Sequence, residues 1–192
     1  MTQRSVKYFD ALDAYDDDRA EEALRLMEEC AHQGDPLACF TTALWYRNGE
    51  GAPANMERCA QWLTRFEELA ELGDLEAQWN LGQNYRFANL FPLNIERANY
   101  WLERAAEGGY GEAQHHLAWY YESGQYDYPV DSNEAAKWYQ HAFEQGHPET
   151  LYLYAVRLFR DGQPTEEAIS LLRRAADKGF KQAEHVLQSH RH

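Results

Sequence analysis

Apolar and small residues recur along this chain at helical spacing. In the segment 73–85, Ala77, Leu81 and Tyr85 fall every four residues and share one helical face. In the segment 94–109, Ile95, Ala98, Trp101, Leu102, Ala105 and Ala106 do the same. Between the two lies Pro92-Leu93-Asn94, in which proline ends one segment and asparagine can cap the next through its side-chain oxygen. Pro53-Ala54-Asn55 and Pro129-Val130-Asp131 repeat that phrase. The pattern predicts helix, turn, helix, and no stretch alternates as a strand would.

The pattern is periodic over the chain. Gly34, Gly73, Gly109, Gly146 and Gly179 align at spacings of 39, 36, 37 and 33 residues, a range that belongs to stacked helical repeats. Four positions after each comes a small residue: Ala38, Ala77, Ala113, Thr150 and Ala183. A second small set, Ala23, Cys59, Ala98, Ala135 and Ala168, precedes large apolar anchors such as Trp62, Trp101, Trp138 and Leu171. Small residues let helix backbones approach, and aromatics fill the gaps between units. The aligned glycines suit left-handed positions that close each second helix. Trp62 lies eleven residues before Gly73 rather than eight, so that unit carries three additional residues near the end of its second helix.

These registers predict one all-α domain over 1–192, an α-solenoid of antiparallel helix pairs with about five repeats. The units run approximately 4–34 (partial), 35–73, 74–109, 110–146 and 147–179, with a capping helix at 180–190 to cover the last apolar face. Asp16, Asp17 and Asp18 mark a turn and an acidic helix start. Asp161-Gly162-Gln163-Pro164 forms a shorter turn in the fourth full unit.

Charge narrows the partners. Acids outnumber Lys plus Arg by 32 to 18, a formal charge of −14. Such a surface repels phosphate backbones and anionic membranes and attracts basic proteins; simple solubility is the competing reason for it. No signal-peptide run opens the chain, and no stretch approaches the roughly 18 apolar residues of a membrane span. Cys30, Cys39 and Cys59 fit no zinc spacing and read as small core residues of a reduced, cytoplasmic protein.

With these positions in place the chain resembles the SEL-one-like repeat family, a branch of the tetratricopeptide-like solenoids. The resemblance covers roughly 34–183. It is carried most fully by Ala77, Leu81-Gly82, Tyr85, Pro92, Ala98, Trp101, Ala105-Ala106 and Gly109. The Gly-x-Gly turn of the family survives at Gly49-Glu50-Gly51, Thr42 replaces a leucine, and Leu158 stands where tyrosine is usual. The resemblance implies a right-handed α-solenoid, a non-catalytic adaptor whose first helices line a concave surface. It also allows regulators, host-interaction factors and immunity proteins.

If the family register holds, groove positions fall three, six, ten and thirteen residues after each glycine. Those chosen as candidate partner contacts are Phe40, Leu44 and Arg47; Trp79, Gln83 and Arg86; His115, Trp119 and Glu122; and Tyr152, Val156 and Phe159. Aromatics with nearby arginine are the usual composition of binding hot spots. Packing of the same aromatics between units is the competing expectation.

No phosphate loop, zinc-protease helix or nucleophile elbow occurs. Adjacent His115 and His116 diverge on a helix and cannot chelate together. His185, His190 and His192 read as a polar tail. No catalytic residue, metal or cofactor is therefore assigned. The reading is a protein- or peptide-binding adaptor, monomeric or weakly dimeric, that takes up neither nucleic acid nor membrane. The alternative is an immunity protein or antitoxin against a basic, nuclease-like toxin, motivated by nine acids within residues 10–29.

Overall fold

The computed structural model describes residues 5–160 and 166–189. Among the described residues the chain forms eleven helices and no strand: α1 (Val6–Asp16), α2 (Ala20–His32), α3 (Pro36–Asn48), α4 (Met56–Glu71), α5 (Leu75–Phe87), α6 (Ile95–Glu107), α7 (Gly111–Ser123), α8 (Ser132–Glu144), α9 (Pro148–Arg160), α10 (Glu166–Asp177) and α11 (Lys181–Ser189). Helices pair as α1/α2, α3/α4, α7/α8 and α9/α10, each pair in extensive contact. Two compact units are distinguished, Met1–Trp101 and Leu102–His192. The turn expected at 161–164 and the tail residues His190 and His192 lie outside the described residues. None of the helices described is long and apolar enough to cross a membrane.

The aligned glycines all adopt left-handed backbone, with φ of 90° at Gly34, 95° at Gly73, 96° at Gly109, 70° at Gly146 and 84° at Gly179. Side chains with a Cβ resist that region, which is why the pattern is legible as glycine. All ten aligned small residues are buried, from Ala23 to Ala183. The capping expectation also holds. Asn55 accepts a hydrogen bond from the Arg58 amide at 3.0 Å, and Asn94 from that of Arg97 at 2.9 Å. Asp131 accepts from Asn133 at 2.9 Å and Glu134 at 3.2 Å. Asn55→Ala is expected to lower stability by about 1 kcal/mol, whereas Asn55→Asp should retain it; urea midpoints of the two variants check this.

Several contacts recur with the repeat. The amides of Asn55 and Asn94 donate to the carbonyls of Tyr46 and Tyr85 at 2.8 and 2.9 Å, tying each turn to the first helix before it. The Tyr46 hydroxyl donates to Glu28 at 2.8 Å and the Tyr85 hydroxyl to Glu67 at 3.0 Å, which links one repeat to the next. Arg97 in turn donates to the Tyr85 oxygen at 2.6 Å. In the second unit Tyr128, not Tyr121, reaches the equivalent Glu103, at 2.9 Å. Buried Gln78 and Gln114 donate to the carbonyls of Ala70 (2.9 Å) and Ala106 (3.0 Å), a second hydrogen bond at oxygens that already accept from the Gly73 and Gly109 amides. All three cysteines are free and buried. Burial pushes the Cys39 thiol up to about 12, which makes it a packing residue.

Candidate functional site

In the first unit the expected groove positions are mostly absorbed into packing. Phe40 is half-buried, its ring centroid 5.9 Å from that of Phe66. Leu44, Trp79 and Gln83 are half-buried as well. Arg47 is exposed, yet it donates to the Asn89 carbonyl at 2.8 Å and so braces the loop after α5. Arg86, expected on the surface, is only 4% exposed. Its guanidinium turns toward α6 and donates to Asn99 at 3.0 Å. Register identifies a helix face but not its depth, and this position lies on the inward edge of that face.

In the second unit α7, α8 and α9 build a cleft of about 410 Å³. Three of the expected residues meet there: His115, Trp119 and Glu122. They are joined by His116, by Glu149 and Leu153 from α9, and by Tyr139 from α8. Trp119 is 40% and Leu153 42% exposed. Large apolar side chains held open to water on two facing helices offer burial to a partner. Glu122 and Glu149, both exposed, set a negative rim.

The floor is a hydrogen-bonded cluster. His115 is 6% exposed, a correction to its expected place on the groove surface. Its Nδ1 lies 2.9 Å from the Thr150 hydroxyl, and His147 Nδ1 approaches the same oxygen at 3.1 Å. The two imidazoles stack with centroids 4.6 Å apart. Burial, then the neighbouring His147 and His116, holds the His115 imidazole down at about 3. Burial, then His116 and Lys178, holds His147 at about 4. Both rings are therefore neutral near neutral pH, so the 3.4 Å approach of His115 Nε2 to Glu149 is not an ion pair. The Thr150 amide donates to His147 Nδ1 at 3.4 Å, which makes that nitrogen an acceptor, and the Thr150 hydroxyl lies between the Nδ1 atoms of the two rings. Tyr139 donates to Glu122 at 2.9 Å, and burial followed by that carboxylate raises its phenol, which stays protonated. Tyr139 thus fixes one rim carboxylate, Glu122. The cleft lining includes no serine, cysteine or lysine.

Tyr152 belongs to a neighbouring packing layer, its ring 5.2 Å from that of Phe180. Tyr152 and Phe159 pack against the core of α9, α10 and α11, and Val156 is half-buried. Tyr139, His147 and Thr150 were not expected in a site. Thr150 carried the one available signal: a hydroxyl at a position where the other four aligned repeats have alanine requires a buried partner.

Paired antiparallel helices with this periodicity define an all-α repeat protein. The Sel1 repeat matches four consecutive segments, 36–74, 75–110, 111–147 and 148–180, and the chain belongs to that family. Sel1 repeats generally mediate protein–protein interaction. A Sel1 repeat protein from Oxalobacter formigenes is similar at 24% identity and a TM-score of 0.62, with 92% of this chain and 74% of that chain covered. The protein c5321, a protective antigen of uropathogenic Escherichia coli strains with an SLR fold, is similar at 25% identity and a TM-score of 0.55. That match covers 88% of this chain and 36% of the antigen, so the chain spans about a third of its length. Among curated protein sequences none matches.

Proposed function

We propose that this protein is a non-catalytic, cytoplasmic adaptor, one continuous repeat array, whose first-helix side holds a protein or peptide partner. The cleft of α7, α8 and α9 is its principal contact. The observation that supports this is Trp119, 40% exposed over a cleft that Glu122 and Glu149 line. An apolar or aromatic partner side chain covers Trp119 and Leu153, and a lysine or arginine beside it meets Glu122 or Glu149. Trp119→Ala removes the central contact while leaving the core intact. The expected result is loss of the natural partner in affinity purification, with binding weakened by about 2 kcal/mol or more, and an unchanged circular dichroism spectrum. Full retention of the partner by the folded variant would exclude this cleft.

A second reading is capture of a basic toxin, favoured by the −14 charge and the nine acids within residues 10–29. It requires an affinity that falls steeply between low and physiological salt. A complex indifferent to salt leaves only the adaptor reading.

A further inference from the structure

The second helix α4 has sixteen residues, against thirteen in each of α2, α6 and α8. The difference is close to one helical turn, about 5 Å of additional length. The repeated contacts do not require it. At one end of α4 Asn55 caps as Asn94 does, and at the other Gln78 reaches Ala70 as Gln114 reaches Ala106. What the longer helix does build is a cleft of about 630 Å³ against α6. Glu67, Glu68, Glu71 and Leu72 line one wall, and Tyr100 and Trp101 the other. Leu72 is 79% and Tyr100 48% exposed, so apolar surface is held in water at the very place where the repeat departs from its usual length.

The corresponding cleft between α2 and α4 is a control within the same unit. It is smaller, about 400 Å³, and carries His32, Arg58 and Arg65 around Trp62. A tryptophan with cations on one cleft and with carboxylates on the next shows that the scaffold fixes the aromatic and leaves the charge open. The lining of the α4/α6 cleft carries three carboxylates and one guanidinium, Arg97. Arg97 is turned to the Tyr85 hydroxyl, and Glu68 meets Arg65 only across an exposed 2.9 Å pair.

We propose that the α4/α6 cleft is a second docking surface, separate from the α7–α9 cleft, and that its occupant is a basic amphipathic helix of a partner protein. The helix sets an apolar side chain on Leu72 and Tyr100 and directs lysine or arginine to Glu68 and Glu71. Charge complementarity selects this occupant, and the strongly negative chain steers it there.

The test uses the full chain and a fluorescent helical peptide of repeating leucine and lysine, followed by anisotropy. Glu68→Lys with Glu71→Lys is expected to weaken binding about tenfold, and Leu72→Ser, at an exposed position that cannot disturb the core, about fivefold. Asp10→Lys with Asp13→Lys, equal in charge but on α1, and Trp119→Ala should each change it less than about twofold. A peptide with glutamate in place of lysine should not bind. Equal losses from the α1 and α4 reversals would reduce the effect to general acidity and overturn the proposal. A loss confined to Trp119→Ala would move the peptide to the other cleft, also overturning it while leaving the adaptor reading intact. Sedimentation showing wild-type dimers that Leu72→Ser dissociates would assign the cleft to a second copy of this chain instead.

Discussion

Gly51→Ala is expected to destabilise the protein by about 3 kcal/mol, whereas Gly73→Ala should cost about 1 to 2 kcal/mol. Both residues hold left-handed backbone, with φ of 73° and 95°. The strain of placing a Cβ in that region is common to both. Their surroundings differ. A Cβ on Gly73 meets nothing within 4 Å, while one on Gly51 would press on the Ala20 carbonyl and lie 2.8 Å from its carbon and 2.9 Å from Leu24 Cβ. Two of those atoms are backbone at the start of α2, which cannot swing aside as a side-chain tip can. The turn after α3 therefore has to move, or α2 does, and the buried Leu24 and Ala23 move with it. Urea unfolding followed by circular dichroism measures both variants. Equal losses would mean that the turn yields without disturbing α2.

The second large effect is in pH. His115 and His147 are held neutral in the folded protein, at about 3 and about 4, against 6.5 for the free side chain. Between these values the unfolded chain binds protons that the folded chain refuses. Stability therefore rises with pH through this window and is lost as pH falls below about 6.5. From pH 7 to pH 5 the two rings together should remove about 3 to 4 kcal/mol. Protonation of the many carboxylates changes stability over part of the same range, so the contribution is read as a difference. A His115→Phe, His147→Phe double variant should lack the steep loss between pH 6.5 and 5 that the wild type shows. Parallel curves for the two proteins would mean that water reaches the rings and that the Thr150 cluster is open.

Much of the fold was legible because its determinants are local. A left-handed helix end demands glycine, a first turn demands an oxygen cap, and close helix contact demands alanine, so Gly109, Asn94 and Ala98 could each be identified from their neighbours. The site was legible in part. Trp119 and Glu122 fall in one cleft because their spacing keeps them on one face of α7. Arg86 and His115 sit on the same kind of face, but their depth depends on Asn99 of α6 and on Thr150 and His147 of the following repeat, which no local pattern contains. Gln78 and Gln114 look like surface residues in sequence; their burial goes with the hydrogen bonds they donate to the carbonyls of Ala70 and Ala106. Tyr139 lies on a second helix, α8, and the groove positions expected from sequence were counted on first helices alone.

The most direct measurement is hydrogen–deuterium exchange of the protein alone and bound to the partner captured from its native cell. Binding through the α7–α9 cleft should slow exchange in segments 112–122 and 148–156, and Trp119→Ala should abolish that slowing. Slowing found only in other segments, with 112–122 unchanged by a tightly bound partner, would contradict the account.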